Sequence, residues 1–223
     1  REASCSAGAA ALNHRVHGQR GQRYAGNPTF MPEPSPDQAL LRRELRRRRQ
    51  ALSSEQQHAA AAAVTRHIEV LQDWQSARRI ALYLAADGEI DTAPLAALAR
   101  AQEKELYLPV ILPDNSLTFA RWQQGATLHP NRYGIPEPPE PVVSSPAGGL
   151  DLIVLPLVGW DRRGGRLGMG GGFYDRTLEE VSGPRLLGLG HSCQELETVP
   201  LQAWDVRLDF VATDATLLDC RGT

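Results

Sequence analysis

Apolar positions in this chain recur first with a helical period and then in short continuous runs. Just beyond Ser35, leucines at 41, 45 and 52 mark one helical stripe, and arginines at 42, 46 and 49 mark a second. Ser35 can cap this helix, and Pro36 suits its first position. Ser53 and Ser54, with Gln56 and Gln57, offer capping-box spacing for a second helix to about Trp74, helped by an alanine run. "RIALYLA" (79–85) then reads as a buried strand, Thr92 to Glu103 as a helix, and "ELYLPVI" (105–111) as a second strand. "PDNS" is a turn before a third strand, "LTFARW" (117–122).

Prolines and glycines dominate from Leu128 to Gly149, which predicts a long surface loop. "LDLIVLPLV" (150–158) is apolar nearly throughout, as a strand covered on both faces would be. A helix is expected from Phe173 to Val181, with strands at 185–191 and 209–218. Strands alternating with helices predict an α/β fold in three layers, a mostly parallel central sheet with helices on both faces. There is no internal repeat.

Residues 1–30 show no sustained periodicity and no apolar core of a signal peptide. Met31, followed by "PEPSPDQ", reads as a fresh start. The expectation is an N-terminal extension over 1–30, non-native or disordered, and a folded domain over 31–223. A disordered arm that binds a partner is the alternative.

Composition narrows the function classes. The chain has 223 residues, 42% hydrophobic, with a formal net charge of -2, which gives no hint of a nucleic-acid partner. No apolar run is long enough to span a membrane. Cys5, Cys193 and Cys220 lie far apart, so a disulfide framework or zinc site is not expected, and a reducing cytoplasm is the default. A monomer is the expected state.

The chemistry concentrates in "RLGMGGGFYDRTLEE" (166–180), where four glycines fall between Gly168 and Gly172. A buried strand leads into this loop and a helix leaves it. Ligands of such sheets bind beyond the carboxyl ends of the strands. Bare backbone N–H groups and a helix start favour an anion, phosphate above all. Arg166, with Arg162 and Arg163 nearby, could add positive charge, and Asp175 in the first helical turn could hold magnesium. Phe173 breaks both the Walker and the dinucleotide glycine patterns. A flexible turn, with Asp175 serving only the helix dipole, is the plainer alternative.

"PLVGWDRRGGRLGMGGGFYDRTL" resembles the signature of the 5-formyltetrahydrofolate cyclo-ligase family, also called 5,10-methenyltetrahydrofolate synthetases. The likeness extends to "LYLAADGEIDTAPL", "YLPV", "NRYGIPEP" and "GLGHSCQEL…VPLQAWDVRLDFVAT", and so runs from about residue 38 to 218. The resemblance implies a single α/β domain and an enzyme dependent on ATP and Mg2+. It implies conversion of 5-formyltetrahydrofolate to 5,10-methenyltetrahydrofolate with release of ADP and phosphate. Such chemistry asks the protein for positioning and charge stabilisation rather than a nucleophile.

Carried over residue by residue, the resemblance makes Arg166, Leu167, Gly168, Met169, Gly170, Gly171, Gly172, Phe173 and Tyr174 the ATP loop. Asp175 and Asp205 become metal ligands. Leu84, Glu89, Tyr133 and Phe173 become folate contacts, Glu89 accepting from the pterin and Tyr133 beside it. Gln38 and Arg42 fall on the family's K-x-x-L-R pattern for ATP, with Gln38 where lysine is usual. Phe173 stands where the family has tyrosine, and Met169 where some relatives carry a base. Either Arg42 acts without the usual lysine or another arginine of "RRELRRRR" substitutes for it, and most of the six arginines in this run are expected to form a solvated face. His191 and Cys193 are expected to pack near the site without acting in the reaction.

Overall fold

A computed structural model describes residues 36–138 and 144–222. The expected extension over 1–30, and the capping role of Ser35, lie outside the described residues. Helix α1 (Pro36–Gln50) is followed by α2 (Ser54–Glu69) and a short α3 (Gln72–Ser76). Strand β1 (Arg79–Ala81), α4 (Ala93–Ala101), β2 (Glu105–Ile111) and β3 (Leu117–Arg121) come next. Three two-residue strands follow: β4 (His129–Pro130), β5 (Pro136–Glu137) and β6 (Ser144–Ser145). The chain continues through β7 (Leu152–Pro156), the hairpin of β8 (Gly159–Trp160) and β9 (Arg166–Leu167), and α5 (Phe173–Leu178). It ends with β10 (Arg185–Leu189), β11 (Phe210–Ala212) and β12 (Leu217–Asp219).

The main sheet has the order β12-β11-β10-β7-β1-β2-β3-β6. Its centre, from β11 to β2, is parallel, and β12, β3 and β6 are antiparallel at the margins. The expected mostly parallel sheet is therefore present. β7 shows why its sequence is unbroken apolar. Leu152 and Val154 enter one core layer, with α2, α3 and α4. Ile153 and Leu155 enter the other, with Leu178 of α5 and the loops around it. Helical cover is thus three helices on one face and one short helix on the other.

The capping-box spacing is used by Ser53 and Gln56: the Gln56 N–H donates to Ser53 Oγ at 3.2 Å and the Ser53 N–H to Gln56 Oε1 at 2.8 Å. The helix ends at Glu69, short of the expected Trp74, which lies in α3 and donates from Nε1 to Gln102 Oε1. The strand expected over 209–218 is two antiparallel strands. Thr213 closes the turn between them, its N–H donating to the Thr216 carbonyl and its Oγ1 accepting from the Ala215 and Thr216 N–H groups. The strand expected to 158 ends at Pro156, and Leu157 and Val158 lead into the β8–β9 hairpin.

β1 has β2 on one side and β7 on the other. The chain leaves β1 toward one edge and later returns to β7 to build the other half. Such a reversal opens a crevice beyond the strand ends. The segments that follow β1, β7 and β10 carry most of the predicted site residues, with Gln38 and Arg42 in α1 and Tyr133 between β4 and β5.

Candidate active site

Helix α1 lies across this crevice. Leu45 is fully buried with Val158, Leu167 and Val199, joined by partly buried Leu41, Leu196 and Leu201. That anchoring turns the second stripe of α1 toward the strand ends. Arg42 Nε donates to the Gly168 carbonyl at 2.9 Å, and Arg46 Nε to Asp87 Oδ2 at 2.7 Å. Arg49 is 0% exposed and so stands apart from the solvated face expected for most of this run. A bare buried guanidinium would be prohibitive, and Arg49 is kept by its bonds to the Asp87 carbonyl, Asp87 Oδ2 and the Leu157 carbonyl. Arg47 and Arg48, by contrast, pair with Glu44 on the exposed side.

The glycine loop joins β9 to α5. Gly170 has φ +99° and Gly172 φ +65°, conformations that side chains rarely adopt. A Cβ on Gly171 would fall 2.5 Å from the ring of Phe173, so the ring folds back over the loop because no side chain is there. A Cβ on Gly170 would lie 3.6 Å from Arg42 Cζ. Arg42 and Arg166 therefore border the same loop. Among the described residues, Arg42 Nη1 and Arg166 Nε are buried without hydrogen-bond partners. Two unspent guanidinium donors beside bare backbone are suited to receive an anion. Burial lowers the Arg42 pKa, and the charge of Asp205 offsets part of that cost. α5 has only six residues, so its dipole adds little.

Asp175, in the first turn of α5, accepts from Arg166 Nη2 through Oδ1, and the same oxygen accepts from the Val206 N–H at 3.3 Å. Asp205 Oδ2 accepts from the Gln202 N–H at 2.7 Å. Burial raises the Asp205 pKa, and the Asp175 charge adds to this, while Arg166 and Arg42 oppose it. Two neighbouring carboxylates beside such donors fit Mg2+, which is commonly held by one or two carboxylates plus substrate phosphates. No cluster of three or more such ligands exists among the described residues, so a cation here would depend on the nucleotide.

The residues expected to contact folate lie on two separate segments. Tyr133, 54% exposed in the β4–β5 hairpin, meets the edge of Phe173 with ring centroids 6.0 Å apart. Asn131 Oδ1 holds that hairpin by accepting from the Tyr133 and Ile135 N–H groups. Glu89 belongs to a turn after β1, in which its N–H donates to the Ala86 carbonyl and its Oε2 accepts from the Ala86 N–H. Burial raises the Glu89 pKa, against the pull of that N–H and of Arg49. Burial also raises the pKa of Tyr174, with Glu89 adding to it and Arg166 opposing. Leu84 is half-buried at the start of the same segment.

Some predicted residues stand apart. Leu167 is 3% exposed in the core and its carbonyl accepts from the Val158 N–H, so it supports the loop from beneath. Arg162 pairs with Glu195 and Arg163 with Thr198 Oγ1, so neither adds charge to the loop. Met169 points outward at 55% exposure. Gln38 donates to the Pro200 carbonyl at 3.1 Å, tying α1 to the segment that carries Asp205. The single lysine, Lys104, donates to the Trp74 and Ala77 carbonyls, so the cationic work at the loop falls to Arg42 and Arg166. His191 Nε2 contacts the Gly88 carbonyl at 3.1 Å, beside the turn that carries Glu89.

Sequence reading missed Arg49, Asp87 and Asp161. Asp161 is buried, and its carboxylate accepts from the Arg163, Gly165 and Val199 N–H groups to hold the β8–β9 hairpin. Its signal was "WDRRGG", a carboxylate just ahead of paired glycines.

Comparison with known proteins bears on the family and the fold. The sequence profile of the 5-formyltetrahydrofolate cyclo-ligase family matches residues 34–214. The chain is 41% identical over 173 residues to a 5-formyltetrahydrofolate cyclo-ligase of Haemophilus influenzae, covering 75% of this chain and 92% of that one. Identity to the mouse 5-formyltetrahydrofolate cyclo-ligase is 30% over 184 residues, covering 77% and 90%. The structure of an Aquifex aeolicus 5,10-methenyltetrahydrofolate synthetase superposes with a TM-score of 0.73 at 32% identity, covering 83% of this chain and 94% of that one. One from Mycoplasma pneumoniae, at 22% identity, shares the fold with a TM-score of 0.66, covering 80% and 99%.

Proposed function

The chain belongs to the 5-formyltetrahydrofolate cyclo-ligase family, and from that premise we propose how its own residues serve the ATP-dependent conversion of 5-formyltetrahydrofolate to 5,10-methenyltetrahydrofolate. The observation that carries the assignment of the ATP subsite is the pair of buried, unspent donors, Arg42 Nη1 and Arg166 Nε, beside the glycine loop. Those donors and the loop amides hold the triphosphate. Asp175 and Asp205 would hold Mg2+, which would neutralise charge on the phosphates. Glu89 accepts hydrogen bonds from the pterin, Phe173 and Tyr133 offer it apolar faces, and Leu84 completes that wall.

The formyl oxygen attacks the γ-phosphorus and ADP leaves. N10 then attacks the activated carbon and gives up its proton. The C–O bond breaks, phosphate carries away the electron pair, and the five-membered ring closes. In this reading Arg166 stabilises the charge that accumulates on the transferred group, and Arg42 fixes the loop through the Gly168 carbonyl. No covalent enzyme intermediate is needed, so the protein contributes orientation and electrostatic stabilisation. We extend the reading to a monomeric cytoplasmic enzyme.

The test is direct. Purified protein with 5-formyltetrahydrofolate, ATP and Mg2+ should show the near-ultraviolet absorbance of the methenyl product growing with time, together with ADP. No absorbance rise would overturn the reading; tight binding of both substrates without turnover would make the protein a carrier.

A further inference from the structure

The turn carrying Glu89 is gripped by α1 through a residue with no role in the chemistry above. Asp87 is not glycine, yet has φ +54°. Such a conformation persists only where the surroundings impose it. Here Arg46 Nε and Arg49 Nη2 both donate to Asp87 Oδ2, at 2.7 and 2.8 Å, and Gln50 Nε2 donates to Oδ1. Arg49 Nε also takes the Asp87 carbonyl at 2.8 Å. The next residue, Gly88, has φ +77°, and a Cβ there would sit 3.4 Å from the Arg49 carbonyl, so helix and turn pack backbone to backbone. One residue further, Glu89 Oε1 lies 3.8 Å from Arg49 Nη2.

From this geometry we infer that Arg49 is a positioning residue for the folate subsite: its planar fork, with Arg46, locks Asp87 and thereby sets where the Glu89 carboxylate stands. The inference rests on the reading of Glu89 as a folate contact. Arg49 is suited to the task because its charge is fixed and its donors lie in one plane. A lysine has the charge but cannot span the Asp87 carbonyl, Asp87 Oδ2 and the Leu157 carbonyl together. The Leu157 carbonyl has a side-chain support of its own, whereas the support that the turn finds outside α1, His191 Nε2 at 3.1 Å from the Gly88 carbonyl, does not reach the Asp87 carboxylate. The Leu157 carbonyl also accepts from Gln194 Nε2 at 2.8 Å, and that amide bonds the Val158 carbonyl as well. The Asp87 carboxylate, by contrast, is held by α1 alone among the described residues. Loss of the fork therefore falls mainly on Glu89.

The experiment compares Arg49→Lys, Arg46→Gln and Glu89→Gln in the full chain, with KM for each substrate, kcat and thermal midpoint. Arg49→Lys should raise KM for 5-formyltetrahydrofolate about tenfold, the scale of a misplaced charged hydrogen bond, with KM for ATP within about twofold. Combined with Glu89→Gln it should cost little more than Glu89→Gln alone, because the two residues act through one contact. Strict additivity, or equal rises in both KM values, would overturn the positioning role. Arg46 is partly exposed and its loss leaves Arg49 on Asp87, so Arg46→Gln folds even where Arg49→Lys does not. It should raise the folate KM about threefold, a partial loss of the same grip, and an unchanged value would count against the proposal. If Glu89→Gln itself leaves the folate KM unchanged, the assignment of Glu89 fails and the positioning role falls with it.

Discussion

Arg42 Nε donates to the Gly168 carbonyl at 2.9 Å, and Nη1 of the same guanidinium is buried with no partner among the described residues. One edge of the group fixes the loop and another stays available to an anion. Lysine could satisfy one of these demands but not both. We expect Arg42→Lys to raise KM for ATP about tenfold to a hundredfold, the range of a lost charged hydrogen bond, with the folate KM near wild type. Initial rates from the absorbance of the methenyl product check this. Parallel rises for both substrates would mean that α1 had shifted as a whole.

The glycines of the loop should separate by position. Gly170 has φ +99° and borders Arg42, so Gly170→Val places a side chain where phosphate must approach bare backbone. ATP binding should fall below detection by calorimetry. Gly171→Ala instead drives a methyl into the Phe173 ring, which must swing away from Tyr133. Its larger effect should be on the folate KM. If Gly170→Val still binds ATP, the loop is a structural turn.

The pattern of the chain revealed the strands, the parallel centre and the glycine loop, because each is local: an apolar run, a strand–helix alternation, a cluster without side chains. Tyr133 meeting Phe173, or Arg42 reaching Gly168, is a product of topology, which no periodicity encodes; family likeness pointed to those residues instead. Arg49 was missed for a physical reason. An arginine in a run of arginines reads as solvated, and only the burial of Leu45 on the adjacent stripe decides which of them face inward. The 209–218 segment misled because Thr213 and Thr216 suit a strand as well as the turn they make.

Asp175 and Asp205 should differ in what their loss releases. Asp175→Asn weakens the metal site and also frees Arg166, its present partner. Asp205→Asn removes a carboxylate whose pKa is already raised by burial and by Asp175. Both should raise the Mg2+ concentration for half-maximal rate, Asp205→Asn about tenfold and Asp175→Asn more, on the scale of a lost charged ligand contact. Titrating Mg2+ at saturating ATP measures this. An unchanged Mg2+ requirement in both variants would remove the two aspartates from the metal site.

Glu89 should trade stability for binding. Burial raises its pKa in the folded protein, so the ionised form is disfavoured there relative to the unfolded chain. The sign follows from proton linkage. Below the unfolded pKa both states are protonated and no penalty exists. As pH rises through the unfolded value toward the raised folded one, the unfolded state loses its proton first, and the penalty grows until Glu89 is ionised in both states. Glu89→Gln removes the charge while keeping the shape. The variant should melt at a higher temperature than wild type at pH 8, and the difference should shrink toward pH 4. Its folate KM should nevertheless rise, with ATP binding close to wild type, because the pterin loses an ionised acceptor. A variant that melts lower at pH 8 would mean that Arg49 and the Ala86 N–H stabilise the carboxylate by more than burial costs it.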